Sequence, residues 1–197
     1  MILSRPLKAA FGLLFFGLAA CVTTPMPVNH HALDYNALPV LRMDVAELMV
    51  LNDAPTIPLT AELAGKYGPS PEEALNEWAS RRIQPAGSQG SYTVIIKDAN
   101  FAAAKLPVEN GMKGYFQRQQ ATRWDAYLSI MIAVEGGSQR QPSAELTINV
   151  RASQSLGENP SAEEKRQTYN SILNKLMALF DAEAQKQMDA YFRAYYL

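Results

Sequence analysis

From Thr122 to Glu135 apolar and polar side chains alternate almost without a break. Trp124, Ala126, Leu128, Ile130, Ile132 and Val134 share one side, and Arg123, Asp125, Tyr127, Ser129 and Glu135 share the other. A period of two puts successive side chains on opposite faces of a strand. It predicts a strand with one buried and one wetter face, as antiparallel sheets commonly have. Ser143 to Ser155 repeats the pattern, with Ala144, Leu146, Ile148, Val150 and Ala152 against Glu145, Thr147, Asn149 and Arg151. Gly136 and Gly137 open the hairpin loop between the two, and Pro142 closes it. Ser91 to Phe101 starts in the same way, with Tyr92, Val94 and Ile96 opposite Thr93, Ile95 and Lys97. The earliest strand spans Val40 to Leu51. Leu41, Met43 and Val45 alternate there, and Ala46, Leu48 and Val50 then continue on the opposite phase. The phase change predicts a bulge near Val45-Ala46 or cover on both faces.

Two stretches change to helical spacing. Ser70-Pro71-Glu72-Glu73 has the form of a capping box with proline at the first helical position. Leu75, Trp78, Ala79 and Ile83 then form one stripe, and Arg81 and Arg82 suit the C-terminal end of the dipole. Trp78 is expected as a core anchor. Ser161 and Glu164 repeat the capping box, and Tyr169, Ile172, Leu173, Leu176, Met177, Phe180, Ala184, Met188, Tyr191, Phe192 and Tyr195 continue one stripe. A helix of about 34 residues there would be about 50 Å long and would be the main cover of the sheet. Its aromatic end, Tyr191, Phe192, Tyr195 and Tyr196, either overhangs as a contact surface or curls over the Asn52 to Pro69 segment. That segment lacks a sustained period and reads as a loop, with a helical turn around Thr60 to Ala64. Between the second and third strands, Lys105 to Gln120 carries Met112, Tyr115 and Phe116 beside Gly111 and Gly114. These are candidate partner-binding groups on a loop tip, unless they pack back on the sheet.

The order of elements is β-α-β-β-β-α. It predicts an α+β two-layer sandwich: a four-stranded, mostly antiparallel sheet covered on one face by two helices. Residues 40–197 are read as a single domain. Residues 22–39 read as a tether, because Pro25, Pro27 and Pro39 interrupt a stretch without apolar period. His30 and His31 lie in it, and adjacent side chains of an extended chain point opposite ways, so they make no chelating pair.

The first 20 residues have another character. Arg5 and Lys8 precede an apolar run, Ala9 to Leu18, of the length of a secretory signal core and too short to span a bilayer. The run ends in Leu18-Ala19-Ala20-Cys21, which resembles the bacterial lipobox. The resemblance implies cleavage between Ala20 and Cys21, a diacylglyceryl group on the Cys21 sulfur and a third acyl chain, such as palmitate, on its amine. Each buried CH₂ contributes about 0.8 kcal/mol, so two or more chains anchor stably. In enterobacterial lipoproteins an aspartate after the cysteine retains the protein in the inner membrane. Val22 therefore implies the periplasmic face of the outer membrane. The layout on such a tether resembles the lipopolysaccharide-assembly lipoprotein that plugs its barrel partner, and the auxiliary lipoproteins of lipid-transport ABC systems. The stretches Ser70 to Ile83 and Thr122 to Tyr127 are similar to a group of uncharacterised Gram-negative lipoproteins. Neither likeness brings functional residues with it.

Charge and composition narrow the function. The formal net charge is −1, and loss of residues 1–20 would remove two cations and no acid. A weakly acidic chain has no electrostatic case for nucleic acid. With the single cysteine acylated, neither a disulfide nor thiol catalysis is available. There is no Gly-x-Ser-x-Gly elbow or phosphate-binding glycine loop, and no metal-ligand spacing. The carboxylate pairs Glu72-Glu73 and Glu163-Glu164 are explained as helix starts. The expectation is a non-enzymatic envelope lipoprotein without metal or cofactor, an accessory or assembly subunit of an outer-membrane or lipid-transport complex. Its partners would be the membrane, through the acyl chains, and an envelope protein. The alternative is a periplasmic carrier or sensor holding a lipid or small apolar ligand between sheet and helices. A hydrolase would need a serine or buried carboxylate in a polar cleft.

Overall fold

A computed structural model describes residues 35–107, 119–136 and 143–197. Residues 22–34 of the expected tether, the candidate partner-binding residues Met112, Tyr115 and Phe116, and the lipobox-like residues Ala20 and Cys21 lie outside the described residues. After a 3₁₀ turn at Tyr35–Ala37 come β1 (Leu41–Met43), β2 (Glu47–Asn52), α1 (Pro58–Tyr67), α2 (Pro71–Arg82) and β3 (Ile83–Pro85). The three long strands follow: β4 (Ser91–Lys105), β5 (Gln120–Glu135) and β6 (Ala144–Gly157). Then α3 (Ala162–Tyr191) leads into a terminal 3₁₀ turn, Arg193–Tyr195. The main sheet has the order β2-β4-β5-β6, in which β2 is parallel to β4 and the other neighbours are antiparallel. The helices pack on it, as the α+β sandwich requires.

Burial follows the alternation. On β5 every second residue from Trp124 to Val134 is buried, and on β6 Leu146, Ile148 and Ala152 are. Both capping boxes form: the Ser70 hydroxyl accepts from Glu73 N at 3.0 Å, and that of Ser161 from Glu164 N at 3.2 Å. Each glutamate reaches back to the cap amide, at 2.7 and 2.8 Å. Between the layers Trp78 meets Phe180 edge-on at 4.8 Å, and Phe101 stacks on Tyr169 at 4.8 Å. Trp78 is a core anchor.

Four local expectations need correction. Val40 to Leu51 is two strands, not one. β1 pairs with β3 in a small parallel sheet, β2 joins the main sheet, and the chain steps between them at Asp44-Val45-Ala46. Asp44 N donates to Tyr195 O at 2.7 Å and Ala46 N to Gly90 O at 3.0 Å, so the step is fixed by backbone far away in sequence. The phase change marked this step, not a bulge. The Asn52 to Pro69 segment holds a full helix, α1. Pro58 stands at its start and its sole buried residues are Thr60 and Leu63, too few to print a period. The Thr60 hydroxyl accepts from Phe101 N at 2.8 Å, which docks α1 on β4. The bulge sits instead in β4, between Ile96 and Asp98, and moves the inward set from Tyr92, Val94 and Ile96 to Phe101. Finally, α3 ends at Tyr191 instead of running to the terminus. The chain turns back so that Tyr196 bridges Met43 and Leu197 N donates to Arg42 O at 3.0 Å.

Candidate functional site

The reversal at the C-terminus decides what the aromatic end can do. Phe192 is fully buried, edge-on to Tyr92 at 6.3 Å, and Tyr195 is buried beside it. Tyr196 is half-buried and its phenol donates to Asp189 at 3.2 Å. The end curls over Arg42–Asp44, and not over the segment before α2. Of the four aromatics Tyr191 alone, 68% exposed, is largely open to solvent.

Beneath that end lies a buried polar junction that the sequence did not advertise. Arg82 is buried with each of its three guanidinium nitrogens partnered: Nε donates to Asp181 Oδ1 at 3.0 Å, and the terminal nitrogens to the carbonyl of Pro39 and to Gln185 Oε1. Trp78 Nε1 donates to the same Asp181 oxygen at 2.8 Å. Burial, and then the carboxylates of Glu77 and Asp181, push the Tyr35 phenol up to about 12. The junction ties the segment before β1, through Tyr35 and Pro39, to α2 and α3. Its groups are mutually satisfied, which suits positioning and not reaction.

The other candidate is the sheet's second face. No outward side chain of β5 is buried, and the outward residues Glu145, Thr147, Asn149, Arg151 and Ser153 of β6 are exposed. Here the bulge matters. By shifting the register of β4 it brings Asn100 beside Tyr127, which itself pairs with Arg151, and Ala102 beside Asp125, which pairs with Ser153. These cross-strand rows floor a hollow of about 710 Å³, within the usual range for ligand sites. Lys175 reaches it from α3. Several groups in it hold one another. Arg123 Nε donates to Asp125 at 3.0 Å, Asn100 Nδ2 to Asp98 at 2.5 Å, and the Tyr127 phenol to Asn149 at 2.8 Å. The Arg151 guanidinium lies 5.0 Å from the centre of the Tyr127 ring. Alternation alone puts Arg123, Asp125, Tyr127 and Arg151 on one face. It could not show that they adjoin, nor bring in Asp98 and Asn100, because the bulge depends on pairing and not on local pattern.

Among the described residues no cluster of His, Cys, Asp and Glu is arranged to hold a metal ion, and no helix is long and apolar enough to cross a membrane. No protein-family model and no curated protein matches the sequence. Solved structures with a similar chain path include rare lipoprotein B from Shewanella oneidensis, 9% identical over 73% of this chain and 98% of that one, with a TM-score of 0.33. A minor lipoprotein from Acinetobacter baumannii is 13% identical over 78% and 96%, with a TM-score of 0.36. A homolog of the neuraminyllactose-binding hemagglutinin from Helicobacter pylori is 12% identical over 80% and 94%, with a TM-score of 0.41. These overlays carry no property of those proteins to this chain.

Proposed function

We propose that this chain is a lipid-anchored envelope protein on the periplasmic face of the outer membrane, a non-enzymatic accessory subunit that holds a protein partner. Leu18 to Cys21 supports the anchor. The observation that carries the binding reading is the asymmetry of the sheet: one face is roofed by helices, while the other presents a preformed polar hollow with Tyr127 and Arg151 on its floor. Aromatic and arginine side chains are enriched where proteins meet. The alternative, an apolar ligand held between sheet and helices, has less support, because Trp78, Tyr92, Phe101, Tyr169 and Phe180 occupy that layer.

A photo-reactive amino acid placed at Tyr127 in intact cells tests the reading, with Leu179 as the control on the exposed flank of α3. The expected result is a discrete adduct at 127 and none at 179. Adducts at 179 with none at 127 would move the partner surface to the helices.

A further inference from the structure

Two cations of the hollow have no counter-charge paired with them among the described residues. Arg123 is matched by Asp125, and Lys97, just outside, by Asp53 at 2.8 Å. Among the described residues no acceptor takes the Arg151 guanidinium N–H groups, whose carbon lies over the Tyr127 ring, and none takes the Lys175 ammonium. A guanidinium held over an aromatic ring by cation–π attraction still has N–H groups to offer an acceptor. The ring's phenol is in turn hydrogen-bonded to Asn149. Ser153 stands two residues from Arg151 on the same side of β6 and lines the same hollow. A planar fork, a point charge and a hydroxyl suit the several oxygens of a phosphate. The lining carries three cations, Arg123, Arg151 and Lys175, against Asp98 and Asp125, which leaves one positive charge.

We propose that this hollow binds a phosphodiester, its single negative charge held by Arg151 and Lys175 with Ser153 as a further donor. A monoester would bring close to two negative charges against that one. The same chemistry is carried by a glycerophospholipid headgroup and by a water-soluble diester. The phosphodiester site and the partner surface share a face, but either can fail alone: the titration below needs no partner, and the cross-linking needs no phosphodiester.

The test follows the Arg151 Nε–H resonance of the full chain in neutral maltoside micelles. One arm adds soluble glycerophosphoglycerol, and the other dopes the micelles with phosphatidylglycerol. A saturable shift is expected. Response to the soluble diester alone assigns a small ligand, and response to the doped micelles alone assigns a headgroup. Where Arg151 is replaced, the backbone amide of Ser153 reports instead. Arg151→Gln should weaken binding about tenfold or more, since a charge-assisted pair is lost. Lys175→Gln should weaken it severalfold, and Lys186→Gln, outside the hollow, not at all. Absence of a saturable shift in both arms would overturn the site. So would Arg151→Gln and Lys175→Gln proteins that titrate like the parent.

Discussion

Asp181 is the hinge pin of the junction between α2 and α3, and its removal gives a sharp test of how that junction is held. One carboxylate oxygen accepts from Trp78 Nε1 at 2.8 Å and from Arg82 Nε at 3.0 Å, and the two charged side chains are 13% and 4% exposed. Asp181→Ala leaves a guanidinium buried without its counter-charge and an indole N–H without an acceptor. Breaking a buried pair from one side costs about 3–5 kcal/mol. Arg82 keeps the Pro39 carbonyl and Gln185, which points to the lower end, about 3 kcal/mol. That is a large part of the roughly 5–15 kcal/mol that holds a folded chain. Changing both residues, Asp181→Leu with Arg82→Met, removes both charges and keeps the volume filled. Exchanges of that kind are often neutral or stabilising. What remains is the orphaned indole, at about 1–3 kcal/mol, and the Pro39 and Gln185 oxygens that lose the Arg82 donors. The double variant should therefore be at least as stable as Asp181→Ala. Urea unfolding followed by circular dichroism, with the slope compared across variants, measures this directly. A double variant that loses the sum of the separate Asp181→Leu and Arg82→Met losses would refute the reasoning, because additivity means that the residues do not interact.

Further expectations cover the anchor, the C-terminal end, a close approach and alkaline stability. Cys21→Ala should leave the fold intact and move the protein from the membrane to the soluble fraction; a variant still bound to membranes counts against anchoring by lipid alone. Phe192→Ala should cost about 3–5 kcal/mol, because this ring is core; a midpoint unchanged in urea would return it to the surface. Gly87→Ala should lower the melting temperature. An added Cβ would lie 2.6 Å from the Asp44 carbonyl carbon and 2.7 Å from Val45 N, both backbone atoms of the step between β1 and β2. Burial is the main cause that pushes the phenols of Tyr35 and Tyr196 up to about 12, whereas an unfolded chain releases such protons near 10. Their stabilisation is complete below about pH 10 and is lost as the pH rises through about 12. Thermal melts across that window should fall, and fall less for Tyr35→Phe.

What could be read along the chain was what neighbours in sequence settle. The caps at Ser70 and Ser161 are closed by residues three positions on, and the inward sets of β5 and β6 follow from a period of two. The three long strands and the two capped helices were legible for that reason, and so was the α+β layout that buries their apolar sides. The resemblance of Leu18 to Cys21 to a lipobox likewise rests on adjacent residues, and that expectation owes nothing to the fold. Distant contacts settled the rest. The phase change at Val45-Ala46 was visible, but only the backbone of Tyr195 and Gly90 decides that the chain steps there from one sheet to another. The aromatic stripe through Tyr195 fits a continuing helix equally well, until Met43 and Arg42 supply the backbone partners that turn the terminus inward. The hollow on the bare face exists because a bulge in β4 re-registers Asn100 and Ala102 against β5. Periodicity assigns a side chain to a face at the scale of a few residues. Which strands meet, and therefore which polar groups become neighbours, is fixed only when the layers close around a common core.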